Sequence, residues 1–273
     1  MTRALRSALL HGALGIAALL SLLPLLWMVS ASLMPTGEAT LLPPRLLPSA
    51  PTLDQYRALF TRLHLARSAG NSALVAGAVT LISLVLNSMA GYAFAKLRFP
   101  GRDRLFGLLL AALVIPGQVS MLPLFLMLKS VGLIDTYWGV IVPGLASIFG
   151  IFLMRQYALS IPDSLLDAAR VDGAGELRIY WSLVLPSCTP ILVTLAIFTF
   201  LSTWNDFLWP LIVLTDEARY TLPVALANLA GEHVQDTELM MAGAVLTVLP
   251  VVALFMALQR YYIAGIMSGG VKE

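Results

Sequence analysis

Six long stretches of this chain contain no Asp, Glu, Lys or Arg. They run Gly12–Gly37, Ser68–Ala95, Leu105–Leu128, Thr136–Met154, Ile179–Asn205 and Leu239–Gln259. A helix needs about 17–25 predominantly apolar residues to cross the hydrocarbon of a bilayer, and each run is long enough. Across 273 residues only 12% are charged and 59% are hydrophobic, whereas a soluble domain carries about 25% charged residues. A soluble core of this length cannot hide so much apolar surface, so the solvent is lipid. In lipid every backbone N–H and C=O must pair within its own segment, which leaves helices. The runs lack the alternation of a membrane β-barrel. The expectation is an all-α membrane protein, one domain over 1–273, with six transmembrane helices near 12–33, 69–95, 105–128, 136–156, 187–212 and 239–262.

Pro24, Pro116, Pro123, Pro143 and Pro250 fall in or near these spans, where neighbouring groups satisfy the freed carbonyls and the expected result is a kink. Basic residues set the orientation. With the N-terminus inside, 11 of them (Arg3, Arg6, Lys96, Arg98, Arg102, Arg104, Arg155, Arg170, Arg178, Arg260, Lys272) lie in the cytoplasm and 6 (Arg45, Arg57, Arg62, Arg67, Lys129, Arg219) outside. Both termini and residues 157–186 are then cytoplasmic. The first apolar run exceeds the 7–15 residues of a signal-peptide core, so it reads as an uncleaved anchor. Leu41–Pro48 is Pro-rich and reads as extended. Asp54–Arg67 reads as a short helix capped by Thr52 or Asp54.

The lone Cys188 permits no internal disulfide and reads as a small apolar residue. His11, His64 and His233 show no metal-ligand spacing, and no Gly-rich phosphate loop is present. If ATP drives this chain, another chain binds it. A net charge of +2 gives no reason to expect nucleic acid.

The polar segment 157–186 is the exception to the apolar pattern. Pro162 pushes Ile161 out of helical geometry. Asp163 or Ser164 is placed to cap a new helix running to about Asp172. Leu165, Ala168, Ala169 and Asp172 share one face of it at i, i+3, i+4 and i+7. Gly173 suits the left-handed turn that ends a helix. A second helix carrying Leu177, Tyr180, Trp181 and Val184 returns toward the membrane, and Pro186 opens the fifth span.

Asp167-Ala168-Ala169, then Gly173, then Leu183-Val184-Leu185-Pro186 resembles the EAA loop of ABC-importer permeases, with Asp167 for Glu and Leu183 for Ile. Tyr92–Arg102, Ile115–Val119, Phe149–Gln156, Trp204–Leu211, Tyr220–Pro223 and the tail Gly265–Lys272 resemble the six-helix second permease of maltose-type carbohydrate importers. The resemblance implies a type I importer permease fold with a cytoplasmic coupling helix. It implies a second permease, two ATPase subunits that bind the ATP and Mg, an extracytoplasmic substrate-binding protein, and a bacterial or archaeal inner membrane. The docking residues would be Asp167, Ala168, Ala169, Asp172, Gly173, Leu183 and Pro186. By position, Ser268–Glu273 would reach the ATPase and residues 214–237 the binding protein.

Asn87, Gln118, Asn205 and Asp206 are the candidate pathway residues. Asn71, Ser72, Ser88 and Ser120 are further polar groups in spans, and all such groups also serve as interhelical hydrogen bonds. Asp206 falls near the outer boundary, where Arg219 is a possible partner. Trp204 and Trp209 have the chemistry to stack on sugars or to anchor at the interface. Glu217, Glu232, Asp236 and Glu238 read as a solvated face. No basic group lies deep within the spans, which favours a neutral sugar over a sugar phosphate such as glycerol 3-phosphate. An ion-coupled carrier would need ionisable residues at mid-membrane, and an intramembrane hydrolase a Ser–His or Asp pair. The spans carry neither.

Overall fold

The computed structural model describes residues 3–43, 45–61, 64–232 and 236–270. The elements are α1 (Arg3–Ala31), α2 (Asp54–Thr61), α3 (Leu65–Lys96), α4 (Arg102–Ala112), α5 (Gly117–Ser130), α6 (Tyr137–Gly144) and α7 (Ile148–Ala158). There follow α8 (Asp163–Val171), α9 (Glu176–Ile179), a π-helical turn (Tyr180–Val184), α10 (Leu185–Ser187), α11 (Thr189–Trp204) and α12 (Leu208–Val213). A 3₁₀ turn (Glu217–Arg219), α13 (Leu222–Glu232) and α14 (Thr237–Gly270) complete the chain.

Four stretches are long and apolar enough to cross a membrane alone, namely Leu9–Ala31, Leu65–Lys96, Tyr137–Ala158 and Thr237–Ala257. Two more qualify as bent pairs, so six crossings are available in length and composition. The third span departs most from expectation. Instead of one kinked helix over 105–128, α4 and α5 meet at 104°. Pro116 has extended ψ at the start of α5, and tightened i→i+3 bonds wind down Leu113, Val114 and Ile115 before it. The fifth span is also broken, by 80° between Ser187 and Thr189. Pro190 cannot donate to the Pro186 carbonyl, and Thr189 Oγ1 donates to it instead at 2.7 Å. The straight part of this span ends at Trp204 rather than 212, with α12 set off by a short break.

Side chains from Leu9 to Leu26 on α1 are exposed on every face of the helix. A helix that is apolar all round is stable when lipid covers it.

The chain divides into two compact units, Met1–Arg67 with Leu222–Pro250 and Ser68–Thr221 with Val251–Glu273. In the first, Thr52 Oγ1 accepts from the Asp54 N–H at 3.1 Å, which is the expected cap of α2. Two features were not foreseen here. Residues 222–232, between the last two expected spans, form a helix, because Pro223 sits in the first turn where its missing N–H is harmless and Val224 and Leu229 bury one face. Glu238 is fully buried rather than solvated, with Oε1 accepting from the Ala39 N–H at 2.6 Å. Its solvation is replaced by a backbone donor brought from the far end of the sequence.

In the second unit, one apolar cluster gathers Tyr92, Met154, Ile161, Leu166, Ile179, Tyr180, Val184, Cys188 and Leu195. Another gathers Val75, Val79, Leu128, Val140, Ile141, Trp209, Val213 and Leu214. At Gly91 an added Cβ would lie 2.4 Å from Met154 Cβ, so the absent side chain sets the close approach of α3 and α7.

Candidate functional site

The segment after α7 forms a helical hairpin. Pro162 is the N-terminal boundary of α8 and no side chain caps it. Neither Asp163 nor Ser164 caps, contrary to expectation, because Asp163 is already the first helical residue and its carboxylate is engaged by Lys96. Lys96 Nζ donates to Asp163 Oδ1 at 2.6 Å and to the Ile161 carbonyl at 2.6 Å. This hydrogen bond and charge hold the Asp163 carboxyl below its usual range. At the other end Gly173 has φ +82°. Its N–H reaches the Arg170 carbonyl at 3.0 Å and the Ala174 N–H reaches the Ala169 carbonyl at 2.9 Å. Those two bonds are a Schellman motif, which requires a left-handed residue at that position.

One side of the hairpin is sealed to the spans. Leu166, Ile179, Tyr180 and Val184 are buried in the cluster with Tyr92 and Met154. Tyr92 Oη donates to Glu176 Oε2 at 2.6 Å, and the Tyr180 hydroxyl meets Ser88 Oγ at 2.7 Å. Arg170 bridges the two arms, donating to Glu176 Oε1 at 2.8 Å and to Asp167 Oδ1 at 2.7 Å. Those partners, Glu176 first, raise the Arg170 pKa further.

The other side is open. Asp167, Ala168, Asp172, Gly173 and Pro186 are exposed, while Ala169 and Leu183 are half-buried against the cluster. The predicted second face does not stay together. Tyr180 and Val184 are buried, whereas Leu177 and Trp181 are exposed, because the π-helical turn changes the register at that point. Leu165, Val171, Leu177 and Trp181 thus stand exposed on an otherwise polar hairpin, Val171 at 87%. Apolar side chains gathered on such a projection suit a protein partner.

The four candidate pathway residues are not brought together. Asn87 is buried on α3, and its Oδ1 accepts from the Ser147 N–H at 3.0 Å, where the fourth span breaks between α6 and α7. Gln118 is exposed in the first turn of α5. Asn205 is exposed and donates to the Leu201 carbonyl at 2.8 Å. Asp206 Oδ1 accepts from the Trp209 N–H at 3.4 Å. Arg219 does not pair with Asp206; it pairs with Asp135, which two backbone N–H groups also hold in place. Asn71 binds the Ala218 and Tyr220 carbonyls and the Tyr137 hydroxyl. Trp204 and Trp209 are packed in the interior at 4% and 7% exposure, and Trp209 Nε1 donates to the Gly139 carbonyl at 3.1 Å.

A cleft of about 360 Å³ lies between α3, the α6–α7 break and α11. Its polar lining comes from Ser147, Thr199, Ser202 and Thr203, which sequence reasoning missed. Lys96, Tyr92 and Glu176 were missed as well, although the Tyr92–Arg102 motif contained the first two.

The family described as binding-protein-dependent transport system inner membrane component matches residues 83–267, hairpin included. The chain belongs to this family. The permease is 40% identical to the arabinooligosaccharides transport system permease protein AraQ of Halalkalibacterium halodurans, over 93% of this chain and 92% of that one. It is 36% identical to the trehalose transport system permease protein SugB of Mycobacterium tuberculosis over 256 residues, 92% of this permease and 93% of that protein. Its fold matches, at TM-score 0.84 and 28% identity, a crystal structure of a bacterial ABC transporter involved in the import of the acidic polysaccharide alginate. That match covers 96% of this permease and 99% of that chain, so the all-α importer permease fold expected from the motifs is the fold found. Residues 233–235 of the expected binding-protein loop and 271–273 of the tail lie outside the described residues.

Proposed function

We propose that this permease is one membrane subunit of an ATP-driven importer for a sugar or oligosaccharide, acting as a single permease domain. It forms the translocation path with a second permease, and two ATPase subunits bind the ATP and Mg. An extracytoplasmic binding protein delivers the cargo. The permease itself is a transport component and not an enzyme. The observation that carries this reading is the hairpin, pinned to α3 on one side and apolar and exposed on the other. With both termini in the cytoplasm, as the basic residues favour, Asp167, Ala168, Ala169, Asp172, Gly173, Leu183 and Pro186 meet the ATPase. The membrane is the inner one, and the neutral cargo follows from the spans, whose basic residues Arg155 and Arg260 stand near the cytoplasmic ends with none at mid-span to hold an anion.

Affinity purification from native membranes tests the assembly. The expected companions are a second permease, an ATPase and a sugar-binding protein, and recovery of the chain alone with transport intact would overturn the reading. Gly173→Val places a β-branched residue at φ +82°, a strained position that loosens the Schellman turn. Recovery of the ATPase should then fall severalfold, and undiminished recovery would remove the hairpin from the interface. Binding of arabinotriose, trehalose or lactose by the co-purified binding protein, rather than glycerol 3-phosphate, is the expected ligand result.

A further inference from the structure

Thr199, Ser202 and Thr203 lie at i, i+3 and i+4 on α11 and line one wall of the 360 Å³ cleft. Hydroxyls on membrane helices ordinarily bond back to their own backbone. Ser187, Thr189 and Thr194, just before them, do so with the Leu183, Pro186 and Pro190 carbonyls at 2.6, 2.7 and 3.0 Å. The side-chain hydroxyls of Thr199, Ser202 and Thr203 have no hydrogen-bond partner among the described residues. Three free hydroxyls in a row are poorly suited to hydrocarbon. The opposite wall is the α6–α7 break, where Ser147 adds a fourth polar group to the lining. Phe149 and Phe198, each 46% exposed, add aromatic surface to the lining.

We infer that this cleft is a sugar subsite, holding one ring of the cargo by its hydroxyls between the two phenylalanines. The inference rests on the carbohydrate reading above. Neutral hydroxyl donors and acceptors match a polyol edge, and aromatic faces match the apolar C–H faces of a sugar ring. The size falls at the lower end of ligand pockets, about 300–1,000 Å³, which suits one ring rather than a whole oligosaccharide. A chain of sugars would pass through it ring by ring.

The test uses the assembled importer with Ser202→Cys and a membrane-impermeant methanethiosulfonate reagent. The native Cys188 is fully buried and serves as the slow background. The probes are arabinotriose, trehalose and lactose, each supplied with the co-purified binding protein and ATP. The expected result is that a sugar that drives uptake slows labelling at position 202 severalfold. In parallel, Thr199→Val with Thr203→Val should raise the uptake KM about tenfold, the equivalent of roughly one lost hydrogen bond, with the second permease still recovered. Unchanged labelling in the presence of a transported sugar would overturn the subsite while leaving the importer reading intact. Labelling that is blocked in the complex without sugar, but open in the isolated permease, would also overturn it, because the second permease would then cover the cleft. If none of the sugars drives uptake, the carbohydrate reading fails, and the subsite with it.

Discussion

Replacing Lys96 with Met should loosen the hairpin far more than replacing its ion-pair partner Asp163 with Asn. Lys96 Nζ lies 2.6 Å from both the Ile161 carbonyl and Asp163 Oδ1. The two contacts are unequal because the Lys96 side chain is 7% exposed and that of Asp163 76%. An exposed carboxylate contributes little through its charge, so Asp163→Asn should have no more than a few-fold effect. The Ile161 carbonyl belongs to a buried residue, and a charge-assisted hydrogen bond of this kind contributes about 1.5–3 kcal/mol. Methionine keeps the stem packed and removes that bond together with the ion pair to Asp163, which adds little. A loss of this size raises local opening about 10–150-fold, at a factor of ten per ~1.4 kcal/mol. Cys188 reports the opening, since it is the chain's one cysteine and is buried in the cluster beneath the hairpin. Its labelling by a thiol-reactive fluorophore, under conditions where reclosing outruns reaction, follows the population of the open state. Lys96→Met with unchanged labelling, or Asp163→Asn with an equal or larger effect, would refute the reasoning.

Two further outcomes follow from the same geometry. Gly91→Ala drives a methyl to within 2.4 Å of Met154 Cβ and 2.9 Å of the Arg155 backbone N. It should destabilise the permease by about 1–3 kcal/mol, seen as a lower melting temperature of the detergent-purified chain. Asp135 accepts from the Asp216 and Thr215 N–H groups and faces Arg219, in that order of effect, so its pKa is lowered. A lowered folded pKa means that the stabilisation is present above the ordinary carboxylate value, near 3.9, and is lost as pH falls through the lower folded value. Thermal scans should therefore show the Asp135 contribution intact at mild acid pH and lost below it, and Asp135→Asn should lack that acid limb.

The boundaries of the hairpin were readable from sequence. Pro162 and Gly173 are residues whose backbone preferences mark a boundary by themselves, and the structure places α8 at Asp163–Val171 with Gly173 at φ +82°. The pathway was not readable. Asn71 and Asn87 carry the same polar groups whether they line a channel or brace two helices. Here they brace, Asn71 toward Ala218 and Tyr220, and Asn87 toward Ser147. Thr199, Ser202 and Thr203 passed unnoticed because a hydroxyl on an apolar helix ordinarily bonds to its own backbone and says nothing about function.

The sequence by itself determined the solvent, the helical class, the apolar runs long enough to cross and the place of the hairpin, because each follows from composition or from local backbone chemistry. Tertiary structure alone decided that the third span bends through 104°, that Glu238 is buried under the Ala39 N–H, and that Arg219 chooses Asp135 over Asp206. Those outcomes depend on which distant segment supplies a partner. A charge or a proline has the same local preferences wherever it falls, and packing chooses among the partners it can reach.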